Sequence, residues 1–419
     1  MRILFLSHYF PPEVNAPASR TYEHCKQWVK DGHEVTVLTC APNHPRGTVY
    51  EGYRNKFFQR ENRDGIQVVR VWTYVTANEG FLKRTLNYLS YMVAAICVAP
   101  FLSQCDIVLS TSPQFFNGLA GYLVSRMKRA PWILEIRDLW PDSIVAVGAI
   151  TNRLIIRFLE GLEIFAYRKA DHLVVVTDAF KTHMLTRGIP AEKVTVIKNG
   201  VDFSLYKKPL LSSSALSREV GLEGKFVASY VGTHGMAHHL ETVLEAAQEL
   251  TEWKDIVFLL VGDGAERSRL LTLRDKMKLP NVVMLDQQPK ERMPDLWSLS
   301  SVSLVLLKKS DLFKTVIPSK IFESMAMEKP VILGVEGESA ELIMSAGGGI
   351  CIEPENGKDL ASQVLKLYRD PSRCRALGTS GRQYVLAHFD RQVLARRFAD
   401  VLQRVGSRDR ADRKRTLEG

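Results

Sequence analysis

At 419 residues the chain is longer than one hydrophobic core ordinarily serves, so two domains are the starting expectation. With 46% hydrophobic and 24% charged residues, it is neither a collagenous nor a disordered chain. The formal charge of +10 suits an anionic partner (nucleic acid, a membrane face or a phosphorylated substrate), but no zinc-finger spacing, RNP-like aromatic motif or long basic run supports nucleic acid.

Six cysteines at positions 25, 40, 97, 105, 351 and 374 form no C-x-x-C pair, which argues against a disulfide scaffold or zinc site and suits a reducing cytosol. Met1-Arg2 runs straight into the strand-like Ile3-Leu4-Phe5-Leu6, leaving no room for a signal peptide. A Pro-rich loop, His8 to Arg20, follows that first strand. A helix to Lys30, closed by Asp31-Gly32, and a strand from Glu34 to Leu38 complete a βαβ opening. The loop lies where open α/β sheets bind ligands, although the Gly-rich fingerprint is missing. Residues 41–64 read as an irregular polar excursion before a strand from Ile66 to Val71.

Thr85 to Cys105 holds no charged residue and is preceded by Lys83-Arg84, so its length alone would permit a membrane span. Asn87, Ser90, Pro100, Ser103 and Gln104 interrupt it, and a spanning helix would strand the next sheet segment, Asp106 to Ser110, on the wrong side. Two readings remain: a buried core helix, or a helix lying in the membrane interface with Lys83 and Arg84 at lipid phosphates. The strand Trp132 to Ile136 ends in Arg137-Asp138, residues that either line a ligand crevice or pair and order their loop. A helix over Asn152 to Lys169, strands from His172 and Val194, and the turn Asn199-Gly200 follow.

Residues 203–222 read as a connection. Beyond it, strands starting at Phe226, Ile256, Val282, Val302, Val331 and Gly349 alternate with helices, and helices to Val405 precede a charged tail expected to be disordered. This alternation predicts an α/β protein of two parallel-sheet domains facing across a cleft. The expected limits are 1–205 and 206–385, with a helix over 386–405 returning to the first domain and a tail over 406–419.

The most informative stretch is Ile317-Pro318-Ser319-Lys320-Ile321-Phe322-Glu323, between two short strands. Pro318 and Ser319 mark a helix start, with Ser319 able to cap it. Lys320 and Glu323 project from the first turns of that helix: a cation beside free N–H groups for a diphosphate, and a carboxylate for ribose hydroxyls. A surface ion pair between them is the alternative.

Gly32-His33-Glu34-Val35-Thr36-Val37, Asn199-Gly200-Val201-Asp202, Val261-Gly262-Asp263-Gly264 with Arg267, and the Glu323 helix followed by Lys329-Pro330-Val331-Ile332 occur in a telling order. Over nearly its whole length the chain resembles a group 1 glycosyltransferase (glycosyltransferase family 4) of GT-B architecture, with two Rossmann-like domains. Arg137-Asp138-Leu139-Trp140-Pro141 and Ile317-Pro318-Ser319-Lys320 resemble the branch of bacterial L-fucosamine transferases of O-antigen and capsule assembly. The resemblance implies retaining, metal-independent and cofactor-free transfer of a sugar, such as an N-acetylated hexosamine, from a UDP-sugar to a lipid-linked saccharide in cell-surface polysaccharide (lipopolysaccharide) synthesis. It also implies a cytoplasmic protein at the anionic inner-membrane surface.

On this resemblance the second domain holds the donor: Glu323 on the ribose, Lys320 on the diphosphate, the Gly262-Asp263-Gly264 backbone near the base, and Ser319, Gly232, Thr233 and Arg267 among the other donor-binding residues. The acceptor enters the first domain against Glu13, Asn15, Arg20, Arg137 and Asp138. Two departures stand out. Thr315 replaces the first of the family's paired glutamates, which holds the donor sugar. Thr233, His234 and Gly235 to His238 replace an Arg and a Lys, so Lys320 is inferred to carry the phosphate charge, with Lys308 or Lys309 behind it. His234 could aid the leaving group or simply be solvated. Rival readings are a UDP-sugar 2-epimerase and a catalytically silent membrane-bound interaction protein.

Overall fold

The computed structural model describes residues 1–418 apart from 45–46, 77–80, 147, 149 and 208–213. The chain divides into two compact units, Met1–Lys198 with Gln392–Gly419, and Asn199–Arg391. Both cuts differ from the expected limits after 205 and 385. Of the expected connection, Ser212 and Ser213 lie outside the described residues.

In the first unit the strands are β1 (Arg2–Leu6), β2 (Glu34–Cys40), β3 (Phe58–Arg63), β4 (Ile66–Val71), β5 (Ile107–Thr111), β6 (Trp132–Ile136), β7 (His172–Val175) and β8 (Val194–Val196). They form one sheet in the order β3-β4-β2-β1-β5-β6-β7-β8. Every pairing is parallel except β3 with β4. Strand β3 corrects the expected irregular excursion. Its residues alternate polar and half-exposed at the sheet edge, so it lacks the apolar run that marks the others. Helices α1 (Ala16–Lys30), α2 (Phe81–Val98), α3 (Phe115–Lys128), α4 (Asp142–Ala146), α5 (Arg153–Lys169) and α6 (Asp178–Thr186) connect these strands.

The second unit comprises α7 (Ser214–Glu219), β9 (Phe226–Val231), α8 (Glu241–Glu249), β10 (Ile256–Val261), α9 (Arg267–Lys276), β11 (Val282–Leu285), α10 (Met293–Leu299), β12 (Val302–Leu306), α11 (Lys320–Ala326), β13 (Val331–Gly334), α12 (Glu338–Ala346), β14 (Gly349–Cys351), α13 (Gly357–Arg369) and α14 (Pro371–His388). Its wholly parallel sheet runs β11-β10-β9-β12-β13-β14. All six residues of β10 are buried, as expected of a parallel strand covered on both faces.

The last helix, α15 (Arg391–Glu418), belongs from Gln392 to the first unit. Leu394, Phe398 and Leu402, four residues apart along one face, enter its core beside Ile3, Phe5 and Trp28, and the Trp28 indole N–H donates to the Ala395 carbonyl at 2.8 Å. The helix continues to Glu418, correcting the expected disordered tail; beyond Gly406 the sequence has no Pro or Gly before its last residue and contains four Arg, a good helix former.

Helix α2 packs one face into the core. Tyr88, Tyr91, Ala94, Ala95 and Val98 are buried, and the Tyr91 hydroxyl donates to the Leu38 carbonyl at 2.8 Å. Arg84 turns inward, over the Tyr88 ring at 5.9 Å, so it is not the lipid-phosphate ligand that was expected. Among the described residues no helix is long and apolar enough to cross a membrane. In each sheet the strand order reverses direction once, between β1 and β5 and between β9 and β12. Loops leaving the carboxyl ends of strands at such points diverge, which opens a crevice.

Candidate active site

At the β9/β12 reversal, three glycines let two loops approach closely. Gly232, Gly262 and Gly264 have φ of +141°, +149° and +155°. A Cβ on Gly262 would collide with the Gly232 carbonyl, and one on Gly264 with the His234 backbone, so only glycine fits either place. The loops are laced by backbone hydrogen bonds: Gly232 N–H to the Val261 carbonyl and His234 N–H to that of Asp263, both 2.9 Å.

The lacing buries the His234 ring, correcting the solvated alternative, and neither ring nitrogen has a hydrogen-bond partner. Burial, then the Arg267 and Lys320 cations, push its pKa down to about 4, so it is neutral at pH 7. His238, held down to about 3 by burial, is neutral too.

Lys320 opens α11 and directs its amine beneath Gly232 and over the face of Tyr230, 3.5 Å from the ring centre. Its Nζ is enclosed and makes no hydrogen bond. The expected alternative, a solvated ion pair with Glu323, is therefore not what forms. Burial lowers the Lys320 pKa to about 7, opposed by the half-buried Glu323 carboxylate. An enclosed amine with nothing to bond is a charge awaiting an anion.

Other expected donor residues are already engaged. The Thr315 hydroxyl donates to the Leu312 carbonyl at 2.6 Å, and the Asp263 carboxylate accepts from Gly264 N–H at 2.8 Å. Arg267 braces the loop through the Gly262 carbonyl, at 3.1 Å, and Asp286, at 2.7 Å, rather than reaching for a base. Ser319 occupies the N-cap position but makes no capping bond, and Thr233 is exposed. The N–H groups of Ile321 and Phe322 donate to the Pro318 and Ser319 carbonyls at 3.1 Å, which removes those two from the anion site expected at the start of α11. Lys309 is exposed and paired with Glu353 at 3.0 Å, which removes it as a substitute; Lys308 stays half-buried.

At the β1/β5 reversal the expected acceptor residues divide. Arg20 is wholly buried: Nε donates to Glu135 and the other nitrogens to the Lys198 and Ile197 carbonyls, each at 2.9 Å. It ties α1 to the sheet and cannot meet an acceptor, contrary to expectation. Glu13 is buried as well, accepting from the N–H groups of Phe10 (3.3 Å), Asn43 (2.9 Å) and His44 (3.0 Å). Burial still raises its pKa to about 7. It fastens the loop after β2 to the loop after β1. Asn15 caps α1 through the Ala18 N–H at 2.8 Å.

Arg137 donates to the Ala16 and Pro17 carbonyls at 3.0 and 3.2 Å, and Asp138 accepts from the Ser143 hydroxyl at 3.1 Å. The two order their loop through separate partners. Burial raises the Asp138 pKa to about 6 against that hydrogen bond.

Around Asp138 the structure assembles residues that the sequence did not single out for this role. Tyr9 and Tyr88 join hydroxyls at 3.2 Å, His44 meets the Tyr9 ring edge-on at 5.2 Å, and Arg84 faces both tyrosines and Asp138. The basic residue before Tyr88 was visible, but its partners lie on three other segments of chain. Among the described residues no three His, Cys, Asp or Glu side chains gather as metal ligands would.

Two family models match in succession: a glycosyl transferase 4-like domain over residues 15–200 and glycosyl transferases group 1 over residues 213–384. A putative colanic acid biosynthesis glycosyl transferase, WcaI of Escherichia coli (strain K12), is 24% identical over 96% of this chain and 100% of its own. Sucrose-phosphate synthase from Thermosynechococcus elongatus superposes with a TM-score of 0.76 at 16% identity, covering 97% of this chain and 99% of its own. Anabaena HepE, solved in complex with UDP and glucose, gives 0.73 at 18% identity over 96% of this chain and 99% of its own. These likenesses establish the expected GT-B fold of two parallel-sheet domains.

Proposed function

The chain belongs to the group 1 glycosyltransferases, and on that premise we propose that it moves a sugar from a UDP-sugar to a saccharide carried on a lipid during synthesis of a cell-surface polysaccharide. The observation that carries this reading is the enclosed, unpartnered Lys320 amine under a glycine-opened loop. A donor diphosphate supplies the acceptor atoms that the amine lacks, and Glu323, one turn along, accepts from the ribose hydroxyls. UDP in the HepE complex and the biosynthetic name of WcaI agree with that donor and product class.

In the reaction the bond between the sugar's anomeric carbon and the diphosphate oxygen breaks, a bond to the acceptor hydroxyl oxygen forms, and that hydroxyl's proton passes to the departing diphosphate. The diphosphate leaves with the electron pair. Its growing negative charge meets an ammonium already oriented by the Tyr230 ring, in a site where few solvent dipoles must reorganise. This cation does the electrostatic work without a metal. Asp138 and Arg84 hold the acceptor, on the first unit. An N-acetylated hexosamine as donor sugar, retention of configuration, the L-fucosamine-transferase branch and a place at the cytoplasmic face of the inner membrane are the narrower parts of the proposal.

UDP should raise the melting temperature, and a concentration a hundred times its dissociation constant should add about 2.7 kcal/mol of stability. Glu323→Gln should raise the donor KM and leave kcat nearly unchanged, the mark of lost uniform binding. Absence of any stabilisation by UDP, with the protein folded, would overturn the enzymatic reading in favour of an interaction protein. Turnover of a UDP-sugar with no acceptor present would identify an epimerase instead.

A further inference from the structure

The first unit has an apolar surface that its own fold leaves uncovered. Helices α2, α3 and α5 share a small cluster, in which Tyr88, Phe115, Phe116, Ile156 and Leu159 pack with Trp140 and Ile144. Their inner faces are thus accounted for. On the outer face of α2, Leu82, Leu86 and Val93 are exposed, Leu82 to 75%. On α5, Leu154 and Phe158 are 75% and 65% exposed, with Ile155 beside them. Positions 154 and 158 lie one above the other on a helix, so this is a stripe and not scattered residues.

Charge is as one-sided as hydropathy. Neither α2 nor α3 contains an acidic residue, and the acids of α5 are Glu160 and the buried Glu163. Lys83, Arg126, Arg153 and Arg157 are exposed among the apolar side chains. Exposed leucine and phenylalanine interleaved with arginine match a surface that is apolar below and anionic above, which is an anionic bilayer. The exposed apolar residues Leu154, Ile155 and Phe158 lie in the first two turns of α5 with Arg153 and Arg157 among them, the pattern of a segment lying in an anionic interface.

We propose that the outer face of α2, α3 and α5 docks on anionic lipid, with the first two turns of α5 as the element that enters the acyl boundary. This rests on the reading of a lipid-linked acceptor and keeps Lys83 at the membrane contact while removing Arg84, which faces inward, from it. The inner side of the same helices touches Trp140, two residues from Asp138, so a lipid carrier held at this face would present its head group near the acceptor loop.

The full-length protein should co-sediment with phosphatidylglycerol-containing vesicles and bind pure phosphatidylcholine vesicles far less. L154Q/F158Q should reduce partitioning about tenfold or more, through lost burial of two apolar side chains. R153Q/R157Q should reduce it severalfold at low salt and by less at high salt. R84Q should leave it unchanged. Wild-type protein that stays in the supernatant at low salt, or L154Q/F158Q protein that sediments like wild type, would overturn the proposal. A lipid-free dimer that L154Q/F158Q converts to monomer would assign the face to a second copy of the chain instead. UDP-induced stabilisation, measured on the same samples, separates the two readings: its loss with vesicle binding intact overturns the enzymatic function and leaves the docking face standing.

Discussion

Arg20, below the end of the first sheet, and Lys320, at the end of the second, are both buried cations, and they differ in what surrounds them. Arg20 has a carboxylate at 2.9 Å and two backbone carbonyls, and that carboxylate, Glu135, also accepts from the Thr111 hydroxyl at 2.6 Å. Every polar group there has a partner from the chain itself. Lys320 has an aromatic face, two neutral histidines and no hydrogen-bond acceptor. A buried charge with all its partners holds a fold together, whereas one without them is destabilising until a ligand arrives. Burial alone does not tell a structural charge from a functional one; the count of partners does.

The largest effect should follow from breaking the completed cluster. Arg20→Met leaves Glu135 buried without its counter-charge and should destabilise the protein by about 3–5 kcal/mol in urea denaturation. Stabilisation by UDP should survive in the fraction that remains folded. Loss of UDP binding in a variant of normal stability would place Arg20 in the site after all.

Lys320→Met is the complementary change. Turnover should fall on the order of a hundredfold, as for loss of one oxyanion donor, while the empty protein should melt no lower than wild type. Because burial lowers the folded pKa to about 7 from the ordinary lysine value of 10.5, the folded state binds fewer protons between those limits. Stability of the empty protein therefore rises with pH across that window, and the contribution is least favourable below pH 7. The methionine variant should lack this component. UDP requires the protonated amine, so its affinity should decline above about pH 7 in wild type but not in the variant, which titration calorimetry can follow. A wild-type affinity flat from neutral to alkaline pH would count against a diphosphate at Lys320.

Asp138→Asn should sharpen the comparison within the first unit, since Asp138, unlike Arg20, keeps a half-buried carboxylate with one side-chain donor. Transfer should drop by about tenfold or more through a lost charged hydrogen bond, with donor KM unchanged. A lower melting temperature at normal specific activity would mean that the carboxylate only orders its loop. Lys309→Met should do least: its pair with Glu353 is fully solvated, so kinetics and denaturation curves should both overlay on wild type.

Much of the architecture was legible because buried parallel strands are short apolar runs. Ile256–Val261 and Val302–Leu306 need no context to be read. Strand β3 lacks that signature, yet a signal for it was present: Asp64-Gly65, both at positive φ, make the two-residue turn that pairs Arg63 with Ile66. Helix α3 carries Gly118 and Gly121 in its middle, which weakens its helical signal in the sequence. There the helix lies against the sheet so closely that a Cβ on Gly121 would strike Ser110 and Trp132. At the site, the spacing of Lys320 and Glu323 put both on one helix, as found. What spacing could not supply was the environment. The ring that lies beneath Lys320 comes from β9, and the groups that consume Arg20 come from β6 and from the end of β8, so a basic residue without partners and one in a structural clamp look alike in one dimension.

The return of α15 to the first unit bears on how the polypeptide acquires its shape during synthesis. Residues 199–391 form a compact unit from one unbroken stretch, so everything that unit requires has been polymerised before the last helix is made. The first unit begins earlier and finishes later. Trp28, Ile3 and Phe5 wait for Leu394, Phe398 and Leu402 to close over them, and the Trp28 indole for the Ala395 carbonyl. A released chain ending at residue 391 would therefore carry a complete second unit and a first unit with an open apolar face, which is the species a chaperone would be expected to hold.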